Sequence, residues 1–108
     1  MVRRFGQMIR LKPEGADEYI RHHSAVWPKV LSNITKCNIR NYSIYFKDNY
    51  LFTYFEYAGN DFEADMKRLA EDKETQRWWD LVKPLMEPLE SRNEGEFWAD
   101  MKEIFHLD

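Results

Sequence analysis

The spacing of apolar positions divides the chain into alternating strand-like and helix-like segments. Residues 3–12, RRFGQMIRLK, read as a strand of mixed pattern, with Phe5, Ile9 and Leu11 on one parity. Lys12-Pro13-Glu14 breaks it. Pro13 followed by Glu14, Asp17 and Glu18 opens a helix predicted over 14–25, since a first helical turn tolerates proline and favours negative charge. Trp27-Pro28 interrupts this helix, because a residue before proline is pushed away from helical angles. Helical spacing of Val30, Leu31 and Ile34 resumes from Pro28 to Lys36. Residues 38–47 alternate, with Tyr42, Ile44 and Phe46 on one face and Asn41, Ser43 and Tyr45 on the other. Asp48-Asn49 is a two-residue turn signal, and 50–57, YLFTYFEY, returns as the hairpin partner. Gly59-Asn60-Asp61 caps a helix over 61–72 with Phe62, Met66, Leu69 and Ala70 as its stripe. Thr75 opens a further helix with Trp78, Leu81, Val82 and Leu85 on one side. Residues 88–98 read as a polar loop, and 99–107 as a last strand in which Met101, Glu103, Phe105 and Leu107 alternate with Lys102, Ile104 and His106.

The order β-α-(α)-β-β-α-(α)-β is the split βαβ, or ferredoxin-like, plan of the α+β class. It predicts a four-stranded antiparallel sheet with helices on one face, in a single domain over residues 1–108. The hairpin is aromatic on both faces, so both faces need a cover. A second copy laid sheet to sheet supplies the missing one. The chain holds 7 Phe, 6 Tyr and 4 Trp, more ring than a small core absorbs, so some of it must meet a pocket or a partner.

Charge and cysteine content narrow the function classes. With 16 Lys+Arg against 19 Asp+Glu the chain lacks the basic field that holds a phosphate backbone, so no nucleic-acid partner is expected. The single cysteine, Cys37, excludes an intrachain disulfide and a four-cysteine zinc site. No apolar run approaches the ~18 residues of a membrane span, and the N-terminus MVRRFGQMIR has no apolar core of a signal peptide. A reduced, cytoplasmic protein with no membrane association is the expectation. The four glycines form no phosphate-cradling arrangement, and no HxxxH or CxxC pair suggests a metal.

Three constellations can carry chemistry. Tyr19 and His23 are four apart, on one helical face, and join a phenol to an imidazole whose ordinary pKa of ~6.5 suits proton transfer. The plainer alternative is two surface histidines, His22 and His23, with Tyr19 packed on the sheet. Trp78 and Trp79 diverge by ~100° on their helix, so one can pack while the other lines a pocket edge, where a ring stacks on the apolar face of a sugar. Both rings at an interface is the alternative. Tyr42, on the first hairpin strand, can hydrogen-bond a ligand hydroxyl or simply hold its own hydroxyl at the rim of the core.

Glu18-Tyr19 with His23, Trp27-Pro28, Asn41-Tyr42-Ser43-Ile44-Tyr45, Gln76-Arg77-Trp78-Trp79 and Glu103-Ile104-Phe105-His106-Leu107 together resemble the L-rhamnose mutarotase family, in order and across essentially the whole chain. The resemblance implies a dimeric α/β-barrel of ferredoxin-like subunits and a cofactor-free, metal-free isomerase that interconverts the anomers of a 6-deoxy-L-sugar. It implies His23 as proton donor, and Tyr19, Tyr42, Trp78 and Trp79 as substrate contacts. His22 matches no catalytic position. The chain departs from the family pattern in its aromatic 50–57 strand, in Trp98 and in His106, which leaves L-fucose as a competing substrate. A dimeric α/β-barrel oxygenase and a non-enzymatic small-molecule sensor are the alternatives from other classes, since such folds host many functions.

Overall fold

Strand β1, Arg3–Leu11, lies at the centre of the sheet in the computed structural model, which describes residues 2–108. A single 3₁₀ turn, Pro13–Gly15, leads into helix α1, Ala16–His23, so the regular helix is shorter than the predicted 14–25 at both ends. Pro13 favours the tight first turn, and Ser24 closes the helix by hydrogen-bonding the Arg21 carbonyl. Helix α2, Pro28–Lys36, starts at the proline as expected. Strands β2, Ile39–Lys47, and β3, Tyr50–Tyr57, form the hairpin, and Asp48 and Asn49 both take positive φ, as a two-residue turn matched to strand twist requires. Helix α3, Phe62–Glu71, is capped by Asp61, whose carboxylate accepts from the Ala64 N–H.

Helix α4, Lys73–Val82, begins ahead of Thr75, and its cap is Asp72 rather than the threonine. The Asp72 carboxylate accepts from both the Thr75 N–H and its hydroxyl at 2.9 Å, which leaves Thr75 buried inside the first turn. There its oxygen accepts from Asn33 of α2 at 3.0 Å and ties the two helices together. A 3₁₀ turn, Lys83–Leu85, then precedes a short strand, β4, Met86–Glu87, that the sequence pattern does not predict.

The predicted last strand, 99–107, is reduced to β5, Ala99–Met101. The sheet order is β2-β3-β1-β4 with β5 also on β1, all pairs antiparallel. The fourth position of the expected four-stranded sheet is therefore shared, with β4 against Arg10 and Leu11 and β5 against Gly6 to Met8. Beyond Met101 the chain keeps the alternation of a strand but pairs with no further strand, and Ile104, Phe105 and Leu107 are 90, 78 and 79 % exposed. Alternation records which faces a segment can present, and a strand also needs an edge to pair with.

The helices cover one face of the sheet. Ile9, Leu11, Leu51, Val30, Trp78, Val82 and Tyr19 form the buried core between the layers. The other face carries Met8, Phe52, Tyr54 and Met101 around Gly6. None of the described helices is long and apolar enough to cross a membrane.

Strand β2 is irregular near its start. Its pairing with β3 shifts between Arg40 and Ser43, so Asn41 and Tyr42 together oppose Phe55. Asn41 takes φ 50° there, and its amide donates to Glu56 at 2.7 Å. This bulge changes the parity of the strand, so Ile39 and Ile44 both face the helices. Asn41→Val should cost about 1–2 kcal/mol, because a β-branched residue resists the left-handed region, while Asn41→Gly should stay within about 0.5 kcal/mol. Urea denaturation of the two variants checks this, and equal losses would mean that backbone conformation is not what Asn41 supplies.

Candidate active site

A cavity of about 560 Å³ opens between the helix-facing side of the sheet and helices α1, α2 and α4, within the usual range of small-molecule pockets. Tyr19, His23, Tyr42, Trp78 and Trp79 all line it. Tyr19 and His23 also border a shallower hollow of about 410 Å³ beside Ile20 and Phe46. The larger cavity is the better candidate because it gathers all five side chains singled out in the sequence.

Helix α1 places Tyr19 and His23 one turn apart, and their rings stack at 4.1 Å between centroids. The hydrogen bond between them is not phenol to imidazole. His23 Nδ1 lies 2.8 Å from the Tyr19 carbonyl oxygen, which only accepts, so Nδ1 carries a proton and donates it there. That bond selects the tautomer and leaves Nε2 as the free nitrogen of a ring that lines the cavity. The edge-on contact with Trp78 at 5.2 Å fixes the other side of the ring, and Trp27 packs edge-on against Trp78 at 5.3 Å. Burial holds the His23 pKa below its ordinary 6.5; the Tyr19 carbonyl opposes this in part and His22 adds to it. His22 turns to Glu18, at 3.2 Å, and lies outside the cavity lining.

Tyr19 is only 3 % exposed, and burial, with a smaller effect of Tyr42, pushes its phenol well above the ordinary tyrosine range. Tyr42 reaches the cavity from the bulge, edge-on to Phe55 at 5.7 Å. The residue as a whole is 43 % exposed, yet burial raises its phenol too, with Thr53 acting in the opposite direction. Both observations hold if the ring is open along one side while its hydroxyl end is withdrawn from water. The two phenols therefore stay protonated through the neutral range and act as hydrogen-bond donors and acceptors, not as bases.

Trp78 and Trp79 divide their roles as adjacent helical positions must. Trp78 is buried in the core with one edge on His23, and Trp79 is half-buried under the Lys83 ammonium at 4.4 Å. Lys83 also sits over Phe97 at 4.9 Å and so joins the end of α4 to the 88–98 loop. Phe97 and Trp98 both line the cavity, although that segment reads as polar overall. The two adjacent rings at its end were the signal available in the sequence. Gln7 lines the cavity as well, from β1, and a polar residue between Phe5 and Ile9 on a core-facing parity was its only mark.

Cys37 is fully buried with its thiol pushed up by burial, and it does not line the cavity. No group of three or more His, Cys, Asp or Glu among the described residues is placed to hold a metal ion. The arrangement thus offers one imidazole that titrates below the neutral range, two protonated phenols and aromatic walls. Such a set suits proton transfer on a small polyhydroxylated ligand with an apolar face.

Comparison with known proteins agrees with this reading. The family model described as L-rhamnose mutarotase matches residues 4–107. The L-rhamnose mutarotase of Oceanobacillus iheyensis is 30 % identical, with 99 % of this chain and 100 % of that protein covered. That of Ligilactobacillus salivarius is 33 % identical with both chains fully covered, and that of Lactiplantibacillus plantarum 31 % over 97 % of this chain and 98 % of its own. The crystal structure of an L-rhamnose mutarotase from Formosa agariphila superposes with a TM-score of 0.75 over 98 % of this chain and 99 % of that one; at 20 % identity it attests the fold. A matching family model over nearly the whole length, with relatives of equal length and a shared fold, makes this chain a member of the L-rhamnose mutarotase family.

Proposed function

We propose that the protein is an isomerase that interconverts the α and β anomers of L-rhamnose, acting as one domain in a reduced, cytoplasmic setting, with His23 as the proton-transferring group. The observation that carries this reading is the free Nε2 of His23, on a ring whose other nitrogen is tied to the Tyr19 carbonyl. Ring opening moves one proton from the anomeric hydroxyl to the ring oxygen. Neutral His23 takes the anomeric proton at Nε2, and the C–O bond to the ring oxygen breaks as the aldehyde forms. The imidazolium then acts as the acid and returns the proton to that oxygen. Rotation of the aldehyde and reversal of both transfers closes the ring on the other face. Tyr19 and Tyr42 orient the sugar by hydrogen bonds, and the tryptophans supply the apolar wall for its 6-methyl group. A positioned acid–base group of this kind is worth ~10²–10⁴-fold, enough for a reaction that already proceeds in water.

The protein also acts, on this proposal, as a homodimer through the uncovered face of its sheet. Support comes from the chemistry of that face, where Phe52, Tyr45 and Met101 are exposed together, and from the apolar side chains of the 102–108 segment. Exposed apolar area of this kind marks an interaction surface.

Exchange NMR at the anomeric protons tests the activity. L-rhamnose exchange should accelerate above buffer, and faster acceleration of L-fucose would reassign the sugar while keeping the chemistry. If neither sugar responds, the mutarotase reading is wrong. His23→Gln should lose about 10²–10⁴-fold in a folded protein. The pH dependence has a definite sign. A proton acceptor works in its neutral form, and the His23 pKa lies below 6.5, so the rate should be flat above neutrality and fall only as pH drops below 6.5. A midpoint above 6.5 would contradict the acceptor role. For the dimer, sedimentation should give twice the chain mass, and the double variant Phe52→Arg, Met101→Arg should sediment as a monomer; an unchanged dimer would place the interface elsewhere.

A further inference from the structure

The inner face of β1 reads Phe5, Gln7, Ile9 and Leu11 from the middle to the end of the strand, with Gln7 opposite Thr53 of β3. The Gln7 side chain is partly buried, and the protein uses only part of its hydrogen-bonding capacity, the rest staying open to water or a ligand. Gln7 Nε2 donates to Asp100 Oδ1 at 2.7 Å, across the β1–β5 ladder in which the two residues are directly paired. Asp100 is in turn placed by its own N–H, which donates to Glu96 Oε1 at 3.4 Å. An ionised carboxylate only accepts, so it can meet the NH₂ side of the amide and not its oxygen. The Asp100 contact therefore decides which way the amide is turned and leaves Oε1 for the cavity side, where no donor among the described residues reaches it.

We propose that Gln7 Oε1 accepts a hydrogen bond from one hydroxyl of the sugar ring and helps set which hydroxyl stereochemistry the site accepts, with Asp100 as the positioning residue that aims it. This rests on the cavity being the sugar site. The rest of the cavity lining is apolar apart from the phenols, His23, Thr75 and Lys83. Thr75 is already committed, donating to Asp72 and accepting from Asn33. Thr53, across the ladder from Gln7, donates to the Ser43 carbonyl at 2.8 Å. Gln7 is thus an amide acceptor of fixed orientation facing the space a sugar would fill. A hydroxyl on the wrong face of the ring would leave this oxygen unpaired, and unpaired buried polar groups discriminate between sugars better than apolar walls do.

The test is the concentration dependence of anomer exchange, measured by NMR at pH 7.5, on L-rhamnose and on its analogues lacking O2, O3 or O4 in turn. Gln7→Met, close in shape, should raise KM for L-rhamnose about tenfold, the value of one lost hydrogen bond, with kcat within about threefold. The rise should persist on two analogues and vanish on the third, whose missing hydroxyl identifies the partner. Gln7→Val, a residue at ease in strands, should show the same pattern if the methionine variant folds poorly. Asp100→Asn frees the amide to turn over and should raise KM by about two- to threefold with the same single exception. An unchanged KM, or a rise of equal size on every analogue, overturns the proposal and leaves the mutarotase reading intact. A wild-type protein that accelerates none of these sugars overturns both.

Discussion

Strand β1 pairs with β3 from Arg3 to Arg10 on one edge and shares its other edge between β4 and β5. Backbone hydrogen bonds on both edges make it the reference for every side chain in the cavity. From it Gln7 lines the cavity, and Phe55 of β3 lines it from the neighbouring strand in fixed register. Pairing with β5 brings Asp100 to Gln7, and the chain just ahead of β5 brings Phe97 and Trp98 to the wall. A one-residue slip in any of these ladders would turn the set to the opposite face.

The helices bring the imidazole of His23 to this cavity through short-range constraints. The i to i+4 spacing in α1 stacks His23 on Tyr19 and lets the imidazole donate to the carbonyl of the same turn. A backbone carbonyl has two lone pairs, so the Tyr19 oxygen can take the imidazole N–H without giving up its place in the helix. On α4, Asp72 and Thr75 set where the helix begins, and Trp78 follows one turn later against the imidazole. Burial then separates the proton affinities. It lowers that of the histidine and raises those of both tyrosines, so the imidazole titrates below the neutral range and both phenols stay protonated through it.

Much of the layout was legible in the chain because its signals are local. Pro13, Pro28, Asp48-Asn49 and Asp61 mark element boundaries through backbone angles and caps, which depend on neighbouring residues alone. Periodicity of the same kind puts Tyr19 and His23 on one helical face and parts Trp78 from Trp79, and the resemblance to the family singled those four out as candidates. What escaped depends on distant partners. The 99–107 alternation ends as a strand at Met101 where β1 no longer pairs with it, and Met86-Glu87 becomes a strand only because β1 passes alongside. Thr75 reads as a cap by composition, but Asp72 stands in the better position to accept from it. The Tyr42 bulge resembles ordinary alternation in sequence, since one extra residue shifts the parity without breaking the pattern.

The amino-acid sequence by itself determined the α+β class, the order of the elements from β1 to α4 and the family, since these rest on periodicity, breakers and blocks of residues in fixed order. Only the tertiary structure decided how the imidazole is wired, that its hydrogen bond runs to a backbone carbonyl and not to a phenol. It alone decided that Gln7 meets Asp100, from positions 93 residues apart. Periodicity reports the face on which a side chain lies. The atom it meets there depends on two segments meeting in one register, and that is a property of the folded sheet.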